Sequence, residues 1–200
     1  MATAATPTPL ERRLAGEEEA GVSPLDAFAA ARRRFVRRQR IDMQELAAEL
    51  GISRATLYRW VGSRDQLLGE VIWSLGEIEL DRTRDAVDTA SVDGFVAVYE
   101  RFLDTTSSNP ALRHFVEAQP EAALRILTSK AGIVQRRLID VTTGMLQELV
   151  DTGALETRVD LRDLAFVLVR VGESFSWTDF ITGDEPDAHK AAEIIRMLLT

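Results

Sequence analysis

Apolar residues recur every three or four positions through most of the chain, the spacing of one face of an α-helix. No stretch of useful length alternates apolar and polar residues as a half-buried strand would. Leu25, Phe28, Ala29, Phe35 and Val36 fall mainly on one helical stripe. Ser23-Pro24-Leu25-Asp26 opens that stripe with a capping serine, a proline in the first turn and an acid three residues after the cap. Asp42-Met43-Gln44-Glu45 and Ser63-Arg64-Asp65-Gln66 repeat the arrangement, so three helices start close together and need tight turns between them. A long amphipathic helix then runs to about Arg84. "DTASVDG" separates it from a second helical region, whose breaks lie near "TSSNP", "EAQPEA", "TSKAG", "DTGAL" and "TGDEPD". The pattern predicts an all-α protein without internal repeats.

Residues 1–22 are rich in Ala, Thr, Pro and Glu and read as a disordered arm. They lack the basic start and continuous apolar core of a signal peptide, and no apolar run reaches the roughly 18 residues of a membrane span. A cytoplasmic protein is expected. Residues 23–70 then form a first domain, the long helix to about 84 links it onward, and 71–200 form a second.

Composition removes several chemistries. There is no cysteine, so disulfides, thiolate metal sites and cysteine nucleophiles are excluded. The two histidines, His114 and His189, lie far apart in sequence, and no metal site or cofactor is expected. The net charge is -8, which argues against an anionic partner until its distribution is considered. Residues 27–64 hold nine arginines against three acids, whereas the flanking segments are both acidic. Such segregation marks either a solvated charged surface or a contact with an anion.

The residues inside the basic segment favour the second reading. From Met43 the apolar positions follow a helix-turn-helix pattern. Leu46 and Leu50 form the inner face of a first helix, and Ala47 is small where a crossing helix must come close. Gly51 can take the positive φ needed to leave that helix sharply. Ile52, Leu57 and Trp60 are expected to fill the core. The outward face of the second helix then holds Ser53, Arg54, Thr56, Tyr58 and Arg59. An α-helix fits the DNA major groove, where arginine can bridge two guanine acceptors and threonine or tyrosine can reach phosphate or a thymine methyl. Arg64, opening the next helix, suits a backbone phosphate. Gln44 and Ala55 complete the expected DNA-contacting set.

"ELAAELGISRATLYRWVGSRDQLL" resembles the signature of the TetR family of bacterial transcriptional regulators, specific here over residues 24–75. The resemblance implies that Thr56 and Tyr58 hold phosphates and that Arg64 stands where a lysine is usual. Ala55 replaces a frequent glycine, and Trp60-Val61 replaces the usual histidine-phenylalanine pair, which bears on base preference. "RATLYRWVGSRDQLLGEVIWSLGE" together with "RVGESFSWTDFITGDEPD" is also similar to the QsdR-like subgroup, associated with lactone and quorum-signal degradation genes. The family implies an N-terminal three-helix DNA-binding domain, a C-terminal helical ligand-binding and dimerisation domain, double-stranded operator DNA as partner, and a small-molecule effector.

The C-terminal region fits that division independently. Residues 161–181 are expected to form one helix, apolar on more than one side, which must be covered twice. One face would pack on its own core and the other on a second subunit. Leu161, Leu164, Leu168 and Phe175, with Ala188, Ala192, Ile195 and Leu199 from the last helix, are the candidate homodimer interface. Arg170 and Glu173 interrupt the apolar helix one turn apart, with Trp177 a further turn along. They either pair with each other or supply the few polar contacts of a mostly apolar effector pocket walled by Trp73, Tyr99, Phe102, Phe115 and Phe166. The QsdR-like resemblance implies a lactone or acyl-homoserine lactone as effector. Two other classes stay open: a constitutive DNA-binding regulator without effector, and an all-helical enzyme using Glu173, Asp179 or His114, although no nucleophile–base spacing accompanies those residues.

Overall fold

The structure, a computed structural model, describes residues 7–14, 21–129 and 132–200. Every regular element among them is helical, and the chain divides into two compact units, Met1–Ile72 and Trp73–Thr200.

The first unit contains α1 (Pro9–Leu14), α2 (Pro24–Val36), α3 (Met43–Glu49), α4 (Arg54–Val61) and the opening turns of α5 (Arg64–Asp85). The expected starts are present in atomic detail. Ser23 donates its backbone N–H to the Asp26 carboxylate at 2.8 Å. Asp42 accepts from the N–H groups of Gln44 and Glu45 at 2.8 and 3.1 Å. Ser63 and Gln66 form a reciprocal box: each side-chain oxygen accepts the other's backbone N–H, at 3.1 and 2.7 Å. Gly51 leaves α3 at φ 66, as the sharp turn requires.

Three expectations need correcting here. Residues 7–14 of the expected arm are ordered: Thr8 and Glu11 cap each other reciprocally, Leu10 is fully buried, and α1 packs on α2 and α4. Residues 1–6 and 15–20 of that arm lie outside the described residues. The inner face of α2 is Ala27, Ala30, Ala31 and Phe35, while Leu25 and Val36 point to solvent. Small residues at i, i+3 and i+4 let α3, α4 and α1 approach closely, which the bulkier residues would prevent. At the end of α4, Val61 fills the core with Leu57, and Trp60 is only half-buried.

The second unit carries the rest of α5, α6 (Val92–Ser108), α7 (Pro110–Ala118), α8 (Pro120–Thr128), α9 (Ile133–Asp151), α10 (Leu161–Ser176), α11 (Thr178–Ile181) and α12 (Ala188–Leu199). The single helix expected over 161–181 is broken at Trp177, where the backbone turns to φ -117, ψ 21 before α11 begins. The core lies among α6, α9, α10 and α12: α9 packs on α10, α10 on α12, and α12 on α6. Phe95, Leu146, Leu149, Leu168 and Ile195 are its largest fully buried side chains, each contributing about 1.5–3 kcal/mol by burial. At Gly172, α10 also lies against α6. A Cβ there would meet Tyr99 and Leu103 side-chain atoms at 3.1 Å, so the bare backbone permits the approach.

Candidate functional site

Two sites are built from these elements, one in each unit. In the first unit, α4 presents a buried side of Leu57 and Val61 and an exposed side of Arg54, Ala55, Tyr58 and Arg59. Ser53 caps α4 by accepting the Thr56 N–H at 3.0 Å, and the two hydroxyls lie 3.0 Å apart. Both hydroxyls therefore sit at the amino end of α4 with part of their capacity used in the cap. The Arg54 guanidinium lies over the Tyr58 ring, 5.9 Å from its centroid, a cation–π contact between two exposed side chains of α4. Asp42 connects this face to the start of α3. Its carboxyl is held below the usual carboxylate range, first by the Glu45 and Gln44 N–H groups and then by the nearby charges of Arg40 and Arg54. Gln44 is exposed one residue inside α3.

The basic run is divided in its use. Arg34 reaches both Glu45 and Glu49 at 2.9 Å, and Arg33 reaches Glu49 at 3.5 Å, so these two clasp α2 to α3. Arg37, Arg38, Arg40, Arg54 and Arg59 remain exposed. Arg64 is half-buried and donates from Nε to the Ile41 carbonyl at 2.8 Å. It belongs to the frame of the unit as well as to its surface.

In the second unit, Glu173 is the centre of the other site. Its side chain is 11% exposed, and burial pushes its pKa up to about 7 against the opposing effect of Arg170. Arg170 Nη1 stands 2.6 Å from Glu173 Oε2 and also faces the Thr128 carbonyl at 3.3 Å, closing the end of α8. The pair exists, as one of the two sequence readings had it. The contact is an ion pair between residues one helical turn apart. Tyr99 on α6 is buried within the influence of Glu173 and hydrogen-bonds Thr142 on α9; burial drives its hydroxyl pKa upward. Trp177 is buried one turn beyond Glu173 and donates its backbone N–H to the Glu173 carbonyl at 3.2 Å.

The other candidate wall residues have separate neighbours. Trp73 is buried, donates its indole N–H to Glu77 at 3.1 Å and lies beneath the Arg137 guanidinium. Phe102 is half-buried alongside Gly76, and Phe115 is buried on α7. Phe166 differs from these in being 48% exposed on α10.

The candidate dimer contacts divide by burial. Leu164, Leu168, Ala192, Ile195 and Leu199 are buried in the chain's own core, where α10, α12 and α6 meet. Leu161, Phe175 and Ala188 are half-buried at the edge of that core, with Lys190 over the Phe175 ring. The apolar residues left exposed on these two helices are Phe166, Val167, Met197 and Leu198. Sequence reasoning missed Thr142 and Gln135, buried polar residues of α9. Their seven-residue spacing on the inner face was a legible signal. Asp179, an enzyme candidate, pairs with Arg113 at 2.6 Å, and His114 is exposed on α7. Among the described residues, no group of His, Asp and Glu is arranged to hold a metal, and no helix is long and apolar enough to cross a membrane.

The fold recurs in known proteins. The tetracyclin repressor-like C-terminal domain family matches residues 91–200. The transcriptional repressor QsdR of R. erythropolis, from the TetR family, superposes with a TM-score of 0.82 at 27% identity over 88% of this chain and 93% of that one. The TetR family repressor AlkX from Dietzia gives 0.60 at 25% identity, over 90% and 97%. An uncharacterized HTH-type transcriptional regulator of Mycobacterium tuberculosis is 28% identical over 121 residues, 58% of this chain and 52% of that protein, so the chain spans about half the length of the curated relatives it matches. The matched domain takes in more than half of the sequence, and on that ground the chain belongs to the tetracycline-repressor-like family, a family of transcriptional regulators and not of enzymes.

Proposed function

We propose that the chain is a ligand-responsive transcriptional repressor, which binds a palindromic operator as a homodimer and is released by a small, mostly apolar effector. The observation that carries this reading is the two-sided α4, with Leu57 and Val61 inside and Arg54, Ala55, Tyr58 and Arg59 outside. A helix of that construction enters the major groove, with Gln44, Ser53 and Thr56 near its amino end and Arg64 at the start of α5 as phosphate-side partners. Exposed Arg37, Arg38 and Arg40 add to the positive field on this unit of an otherwise acidic chain.

The second subunit covers the exposed apolar residues of α10 and α12, namely Phe166, Val167, Met197 and Leu198, with Leu161, Phe175 and Ala188 at the margin. Four exposed apolar side chains on two adjacent helices are the mark of a buried interface. The effector binds near Glu173, Tyr99 and Trp177, with Arg170, Trp73, Phe102 and Phe115 in the same unit. The likeness to QsdR, and to AlkX, a repressor implicated in biodegradation of n-alkanes, supports an apolar effector; a lactone or acyl-homoserine lactone is the proposed class. An effector that prefers one arrangement of the dimer shifts the population away from the one that matches two successive major grooves.

The experiment is an operator titration of the full chain with and without lactones. Salt-dependent, sequence-selective binding that a lactone reverses supports the reading. Binding that no small molecule alters favours a constitutive regulator.

A further inference from the structure

The first unit contains a helix ahead of the residues 24–75 that carry the family signature, and that helix touches α4. α1 is only six residues long, too short to be stable alone in water. Two features hold it. Thr8 and Glu11 box its first turn, the Thr8 N–H donating to the Glu11 carboxylate at 2.6 Å and the Glu11 N–H to the Thr8 hydroxyl at 3.2 Å. Leu10 is 1% exposed, whereas Leu14 on the same helix is 45% exposed, so α1 turns one side inward. Among the described residues α4 packs on α1, α2 and α3. A domain of three helices alone would support it only through α2 and α3.

We propose that α1 is part of the DNA-reading unit and that Leu10 is a positioning residue, which fixes the seat of α4 and thereby the selectivity of the chain for its operator. This rests on the DNA-binding reading above. Base readout depends on small distances and angles: an arginine bridges two guanine acceptors only when its helix lies at the right depth and tilt in the groove. Arg54, Tyr58 and Arg59 all ride on α4, so a change in its seat moves them together. The phosphate-side partners do not share that dependence. Gln44 stands on α3 and Arg64 on α5, and the exposed Arg37, Arg38 and Arg40 follow α2. Phosphate contacts carry affinity without sequence information, and base contacts carry the sequence. Loss of the α1 support therefore lowers selectivity and leaves general DNA affinity in place.

The test uses the full chain and a duplex that the parent enriches from a random-sequence pool, with an unselected duplex of the same length as reference. Leu10→Ala is expected to bind the enriched duplex at least about tenfold more weakly, the size of a lost base contact. Its binding to the unselected duplex should change by less than about twofold. The dependence of log affinity on log salt should keep its slope, because the phosphate contacts are unchanged. Leu10→Met, which conserves volume, should restore the parental selectivity. Parental selectivity in Leu10→Ala overturns the role of Leu10 and leaves the DNA-binding reading intact. An equal loss on both duplexes, as partial unfolding of the unit would produce, overturns that role too. Should Leu10→Ala fail to fold, Thr8→Ala decides, since it removes the cap of α1 and leaves Leu10 in place. A fall in selectivity with Thr8→Ala supports the proposal, and parental selectivity overturns it. A parent that enriches no duplex removes the DNA-binding reading and the role of Leu10 together.

Discussion

The Arg64 guanidinium donates from Nε to the backbone carbonyl of Ile41 across 2.8 Å. The bond ties the first turn of α5 to the residue just before the cap of α3. A hydrogen bond from a charged group contributes about 1.5–3 kcal/mol. Arg64→Ala is expected to lower the unfolding free energy of the first unit by that amount and to weaken binding to all DNA sequences alike. Arg64→Lys should keep the charge but lose the Nε–H geometry, retaining the salt dependence while losing stability. Urea unfolding beside DNA titrations at several salt concentrations separates the two effects. An Arg64→Ala chain of parental stability would reduce the residue to a phosphate contact.

Arg54 behaves differently because it is exposed on α4, beside Tyr58. Arg54→Ala should cost about 1–3 kcal/mol of operator binding and relax the preference at one base pair per half-site, with stability unchanged. Titration against matched and single-mismatch operators reads this. Unchanged operator affinity would place the reading face elsewhere on α4.

Burial divides two charge substitutions that sequence alone would treat alike. Met197 is 69% exposed, and Leu168 is fully buried. Met197→Glu is expected to give a folded monomer where the parent sediments as a dimer. Leu168→Glu should instead unfold the second unit, since an unpaired charge in the core is strongly unfavourable. Sedimentation with circular dichroism distinguishes the outcomes; a monomeric parent at micromolar concentration contradicts the homodimer.

Glu173 also gives the second unit a pH dependence of definite sign. Its folded pKa is raised to about 7 from 4.5, first by burial. The protonated form is therefore favoured by folding. Its stability contribution is fully present below pH 4.5 and is lost as pH rises through 7. The loss has an upper bound of roughly 3 kcal/mol at 1.36 kcal/mol per pKa unit. Denaturant midpoints from pH 4.5 to 8 should fall more steeply for the parent than for Glu173→Gln. Parallel profiles would mean that Glu173 ionises in the folded chain as it does in water.

Local signals were the legible ones. The caps at Ser23, Asp42 and Ser63 and the turn at Gly51 involve residues within three or four positions of each other, so sequence reveals them directly. The exposed face of α4 was legible because its polar residues and buried leucine cannot exchange places. The faces of α2, α10 and α12 were not. On α2, alanines are as apolar as the pattern needs but mark the inside only once close helix crossings are known. On α10, Leu168 and Val167 are both apolar neighbours, and only the positions of α6, α9 and α12 determine which one is buried. The role of Thr142 depends on Tyr99, which lies on another helix and far away in sequence.

The bare backbone at Gly172 has a mechanical consequence. Most helix pairs interlock through side-chain knobs, so relative translation means climbing from one notch to the next. Where α10 passes α6, a smooth strip of main chain bears on the flat ring of Tyr99 and the end of Leu103. At this position α10 offers no knob, and the close approach of the two helices depends on the missing side chain. The same tyrosine lies beside Thr142, so the Gly172 contact brings α10, α6 and α9 together at one side chain. Gly172→Ala would place a methyl 3.1 Å from Tyr99 and Leu103 side-chain atoms, so those side chains or the helices themselves would have to give way.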